Sequence, residues 1–154
     1  MTASVGDEGP FVVLLVEDNP ADARLTQEAF ADARPTISLE WVRDGDDALA
    51  FLRRHPPYTE APRPHLVLLD LNMPRKDGRA TLLEIKKDPA LKSLPVVVLT
   101  TSESHVDVEE SYQSHANAYV TKPLDLDELV AKIGALCEFW LNGVASVPGT
   151  PQRR

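Results

Sequence analysis

Five side chains of chemically useful type each follow a short apolar run. Glu17 and Asp18 follow Phe11 to Val16, Asp70 closes Leu66-Val-Leu-Leu69, Thr100 follows Val96 to Leu99, and Lys122 follows Tyr119 to Thr121. Three carboxylates gathered in one place repel, since two like charges about 5 Å apart cost roughly 3 kcal/mol at an effective dielectric of 20. Lys122 supplies one positive charge. A hard divalent cation held by carboxylates, a backbone carbonyl and water supplies the remainder, which makes a natural Mg²⁺ site. Asp70 is then either a ligand only or a nucleophile: with cation and lysine neutralising an incoming phosphoryl group, its carboxylate can attack phosphorus and form an aspartyl phosphate. Thr100 could donate its hydroxyl to a phosphoryl oxygen. Taken singly, each residue has a plainer reading. Glu17-Asp18 makes an acidic turn that caps a helix, Thr100 is a strand-end threonine, and Lys122 is a surface lysine.

Their shared place at strand ends joins them. Leu66 to Leu69 shows no polar alternation, so the strand is covered on both faces, as a parallel sheet flanked by helices requires. If the strands are parallel, all five polar ends lie on one edge, where open α/β folds place their ligand sites. Strands and helices alternate from residue 11. Asn19-Pro20 opens a helix whose Leu25, Ala29 and Ala33 share a face. Ile37 to Val42 reads as a strand, and Asp44-Gly45 leads into a short helix carrying Ala48, Leu49 and Leu52. His55 to Pro64 holds four prolines and makes a semi-rigid loop. Pro74 to Gly78 is a turn; Leu82 and Ile85 anchor a third helix that Asp88-Pro89 ends. A polar helix is expected from Ser104 to Ser114. The last helix is capped by Asp125 with Glu128, and its Leu126, Leu129, Val130, Ile133, Leu136, Cys137 and Trp140 recur at helical spacing. The result is a doubly wound sheet with right-handed crossovers. Strand order is not encoded in these residues taken alone.

A chain of 154 residues, 43% hydrophobic and 26% charged, suits one globular domain. It divides into an N-terminal extension over 1–10, a domain over 11–141 and a flexible tail over 142–154. The apolar runs are strand-length and residues 1–10 lack an apolar signal core, so the expectation is a cytoplasmic protein with no membrane segment. Cys137 falls among helical core positions and reads as a small buried hydrophobe. A net charge of -8 argues against nucleic acid as a partner.

Val16-Glu-Asp-Asn19, Leu69-Asp-Leu-Asn-Met-Pro74, Asp77-Gly78, Leu99-Thr100 and Tyr119-Val-Thr-Lys-Pro123 resemble, in order, the motifs of the receiver domain of two-component response regulators. The resemblance spans about residues 11 to 140. It implies a flavodoxin-like five-stranded parallel sheet of order 2-1-3-4-5 with five helices. It also implies that Asp70 is the phosphoacceptor, supplied by the phosphohistidine of a sensor histidine kinase. Mg²⁺ would be held by the carboxylates of Asp18 and Asp70, by the Asn72 backbone carbonyl, and by Glu17 through water. Lys122 would contact the phosphoryl group, with a cis bond to Pro123. Thr100 and Tyr119 would form the switch pair, the hydroxyl moving toward the phosphoryl group as the ring turns inward. Two positions depart from the family: Thr101 stands where a small residue is usual, and His115 where a glycine usually closes the fourth helix. Thr100-Thr-Ser102, His115-Ala-Asn117, the proline-rich loop and Phe139-Trp-Leu141 are similar to the single-domain regulators paired with bacterial phytochrome kinases.

These features support a phosphorylated switch whose output is contact with a downstream protein or phosphate relay. An aspartate-nucleophile phosphatase of the haloacid dehalogenase type also begins with a strand-end aspartate, but its second acid would fall at Asn72. A receiver-like adaptor independent of phosphate is opposed by the intact set Asp18, Asp70, Thr100 and Lys122. Phe139 lies off the stripe of Leu129, Ile133 and Leu136, and together with the resemblance to the phytochrome-partner regulators this implies a homodimer through the 104–114 helix, the last strand and the last helix, with Tyr119, Phe139 and Trp140 at or near its surface.

Overall fold

The computed structural model describes residues 11–70, 78–100, 116–123 and 125–143. Five parallel strands, β1 (Val12–Val16), β2 (Ser38–Val42), β3 (Leu66–Asp70), β4 (Val96–Thr100) and β5 (Ala118–Thr121), form one sheet in the order β2-β1-β3-β4-β5. This is the flavodoxin-like order expected above. Around it lie α1 (Pro20–Ala33), α2 (Gly45–Arg53), α3 (Gly78–Lys87) and α4 (Leu126–Cys137), the last continuing as a π-helical turn over Glu138–Gly143. The expected helix over 104–114, the turn containing Asn72, positions 101 and 115, the N-terminal extension and the tail beyond residue 143 lie outside the described residues.

The unbroken apolar strands bury both faces, as their sequences require. Leu14, Val16, Val67, Leu69, Val96 and Val98 pack with Leu49 and Phe51 of α2 and Leu82 and Ile85 of α3. The alternate residues Val13, Leu15, Leu66, Leu68 and Val97 pack with Ala29 and Phe30 of α1 and Leu129 and Ile133 of α4. The period-two alternation of a strand thus serves two helix layers at once.

Local signals set the ends. Asn19 caps α1, its Oδ1 accepting from the N–H groups of Ala21 at 2.8 Å and Asp22 at 3.1 Å. Asp44 caps α2 by accepting from Asp47 N–H at 2.8 Å. Asp125 caps α4 through Asp127 N–H at 3.4 Å. The buried face of α1 centres on Ala23, Thr26, Ala29 and Phe30; Leu25 and Ala33, expected on that face, are only half-buried. Leu129, Ile133 and Cys137, four residues apart, form the buried stripe of α4. The π-helical turn carries the backbone helically through Asn142 and Gly143, where fraying was expected.

Candidate functional site

Register delivers the acids to one edge. Val16 pairs with Leu69 across β1 and β3, so the next residues, Glu17 and Asp70, emerge side by side. Asp70 is opposite Leu99 of β4, and Thr100 is opposite Thr121 of β5, one residue before Lys122. Glu17, Asp18 and Asp70 each present a carboxylate oxygen within 4.8 Å of the others. The Lys122 Nζ donates to Glu17 Oε1 at 2.7 Å and to Asp22 Oδ2 at 3.3 Å, and stands 3.7 Å from Asp70 Oδ2. Glu17, Asp70 and Lys122 are buried, while Asp18 is half-buried.

One lysine among four carboxylates leaves surplus negative charge in a buried setting. Burial pushes the Glu17 carboxyl from its ordinary 4.5 up to about 7; Lys122 pulls against that rise and the facing Asp70 adds to it. Burial also works against the charge on Lys122. There the hydrogen bond to Glu17 and the fields of Asp70, Glu17 and Asp22 more than offset it, so the ammonium holds its proton more tightly than a free lysine. The Lys122 shift registers the surrounding carboxylates, whereas the Glu17 shift is chiefly the cost of burying its charge, with Asp70 adding to it. Three carboxylates with oxygens within 4.8 Å of one another make an all-oxygen donor set that fits a hard divalent cation.

Glu17, Asp18, Asp70 and Lys122 are therefore brought together as the strand ends foretold. Thr100 and Tyr119 lie on β4 and β5, with their side chains outside the described part, as is Asn72 entirely. The expected cis bond at Lys122–Pro123 is not found; the cis peptide among the described residues joins Pro56 to Pro57. The trans isomer is intrinsically preferred by about 0.5–1 kcal/mol before proline, and a motif alone does not overcome that preference.

The sequence reading missed Asp22. It occupies the third helical position after the Asn19 cap, where side chains lean back toward the helix N-terminus and so toward this edge of the sheet. An acid three residues after an N-cap was the available signal. Phe139 is 55% exposed and meets Trp140 edge-on, with ring centroids 5.2 Å apart. Beside them a groove of about 510 Å³ runs between β5 and α4, lined by Ala118, Val120, Lys132, Leu136, Phe139 and Trp140.

No described helix is long and apolar enough to cross a membrane. The chain is 49% identical over 135 residues to the response regulator Rcp1 of Synechocystis, a match covering 88% of this chain and 92% of that one. The crystal structure of the phosphorylated cyanobacterial phytochrome response regulator RcpA superposes with a TM-score of 0.83 at 47% identity, covering 89% of this chain and 98% of that one. The Mn²⁺-bound form of Rcp1 does so with a TM-score of 0.80 at 48% identity, covering 90% and 99%. Residues 13–134 match the response regulator receiver domain, and the chain belongs to that family.

Proposed function

We propose that this protein is a phosphorylation-dependent switch that accepts a phosphoryl group from a sensor histidine kinase on Asp70. The supporting observation is the arrangement at Lys122, which bridges Glu17 and Asp70 beside Asp18 at the C-terminal edge of the sheet. An Asp70 carboxylate oxygen attacks phosphorus as the bond from phosphorus to the donor's imidazole nitrogen breaks. An acyl phosphate forms and the leaving imidazole retains the electron pair. Lys122, already 3.7 Å from Asp70, neutralises the transferred group, and Thr100 at the end of β4 supplies a hydroxyl to it. Asp18, Asp70 and the Asn72 carbonyl would hold Mg²⁺, which would supply positive charge between nucleophile and phosphoryl group. Glu17 acts through water, consistent with Lys122 at its Oε1 and Asn19 N–H 3.3 Å from its Oε2. Thr100 and Tyr119 relay the change to a protein-contact face. The molecule is a phosphoacceptor with only its own phosphorylation and dephosphorylation chemistry, not a turnover enzyme.

The likeness to RcpA, a cyanobacterial phytochrome response regulator, supports a bacteriophytochrome-type kinase as the donor. A cytoplasmic location follows from that pairing. The output is contact with a downstream protein and a homodimer through β5 and α4, supported by exposed Phe139 beside the apolar groove. Incubation with acetyl phosphate and Mg²⁺ tests the chemistry: intact mass should gain one phosphoryl group in the wild type and none in Asp70→Asn. Equal labelling of the variant, or labelling in excess chelator, refutes it. Sedimentation of wild type and Phe139→Ala, with and without beryllofluoride, tests the dimer; a monomer throughout rules it out.

A further inference from the structure

The acidic loop after β1 is held by edge strand β2 as well as by Lys122. The N–H of Glu17 donates to Val42 O at 3.1 Å, extending the β1–β2 ladder one residue beyond Val16. The carbonyl of the same residue accepts from the indole Nε1–H of Trp41 at 2.7 Å. Both ends of Glu17 are thus tied to β2, and the second tie fixes the peptide plane leading into Asp18. Trp41 is itself held. Its ring packs with the α1–α4 layer of the core, and the Arg43 guanidinium lies over it, 5.2 Å from the centroid. An indole N–H is a donor only, with one direction to offer, so here it serves as a fixed strut.

We propose that Trp41 is a positioning residue for the divalent cation: by fixing the Glu17–Asp18 peptide, its indole N–H keeps both carboxylates aimed at Asp70. The inference rests on the reading of the acid cluster as a cation site. Without the strut, the Glu17 carbonyl turns to water and the Glu17–Asp18 peptide can rotate. The three carboxylates then have to be ordered when the cation arrives, and affinity falls by the worth of about one hydrogen bond, roughly three- to tenfold. The arrangement also makes Trp41 an optical reporter, because its donor nitrogen is bonded to the residue that faces the cation.

Trp41→Phe retains the aromatic packing and removes the N–H. Titration of the full chain with Mg²⁺ alone by calorimetry should give an affinity roughly three- to tenfold weaker than wild type. At saturating Mg²⁺ the acetyl phosphate labelling rate should return to the wild-type value, which a general loss of structure would not permit. Unchanged affinity, with or without a lower unfolding midpoint, overturns the proposal. A wild type that binds no Mg²⁺ overturns the cation reading instead, so the two failures are distinct. Should Trp41→Phe not fold, Trp140→Phe leaves Trp41 as the sole tryptophan. Its emission should change saturably with Mg²⁺, at the calorimetric midpoint. Cation binding with no change in Trp41 emission overturns the proposal.

Discussion

Glu17→Gln, followed across pH, tests whether the acid cluster stores unfavourable charge that a cation relieves. Glu17 is 1% exposed, and its carboxyl is raised from 4.5 to about 7 when folded. Between those values the native state keeps a proton that the unfolded chain has released. The associated stabilisation is therefore complete below pH 4.5 and is lost as pH rises through 7. At about 1.4 kcal/mol per tenfold in proton affinity, the loss is about 3 kcal/mol. Urea unfolding in chelator should show wild type losing most of that stability relative to Glu17→Gln between pH 5 and pH 8. Mg²⁺ should act oppositely, because it takes the ionised form. About a tenth of a carboxyl titrating near 7 is ionised at pH 6 and about nine tenths at pH 8, so apparent Mg²⁺ affinity should rise roughly tenfold over that range. In Glu17→Gln this rise should vanish. Parallel pH profiles for the two proteins, in stability or in affinity, refute the reasoning.

Lys122→Ala should slow labelling by acetyl phosphate roughly a hundredfold, by analogy with loss of one preorganised electrostatic contact, while Mg²⁺ affinity by calorimetry stays level or rises; a fall in Mg²⁺ affinity contradicts the role assigned to the lysine. Burial pushes the Cys137 thiol up to about 11, so its alkylation by iodoacetamide at pH 8 should be roughly a hundredfold slower in the folded protein than in urea, as followed by mass spectrometry. Ile133→Ala, which opens the layer between α1 and α4, should cost about 2–5 kcal/mol in urea unfolding, and a cost under 1 kcal/mol removes that layer from the core.

The central strands were legible because β1, β3 and β4 are continuous apolar runs, a pattern that two-sided burial explains, whereas edge strand β2 alternates Ser38, Glu40 and Val42 with Leu39 and Trp41 and is mostly half-buried. Strand order was not, since no residue in β1 names its neighbours; the order came from resemblance and is now seen in the pairings. Asp70, Asp18, Glu17 and Lys122 were legible as a group because strand ends in a parallel sheet share an edge. Asp22 escaped because it sits on a helix, and an acid in a first turn is ordinarily explained by the helix dipole alone. Trp41 escaped for a different reason. It reads as one more aromatic in a strand, and only three dimensions reveal that its N–H reaches the Glu17 carbonyl just beyond β1. The extent of the last helix was missed because Asn142 and Gly143 are poor helix formers, yet the π-helical turn carries through them.

The position of Lys122 sets what the site can do. At about 4.8 Å per strand, β5 stands about 14 Å from β1, with β3 and β4 between them. A side chain from the end of β5 reaches Glu17 only by crossing above the ends of those two strands, and the path leads past Asp70, where Nζ stands 3.7 Å from the carboxylate. The flexible four-carbon stem of lysine suits that crossing, and its compact charge can turn among several oxygens; a planar guanidinium would be tied to one fork. The same geometry makes Lys122 sensitive to charge at either end of its reach. Glu17 and Asp22 hold it from the β1 side, and new negative charge on Asp70 would compete for it from the middle. On the proposed function, phosphorylation therefore redistributes an ion pair that links the first and last strands of the site.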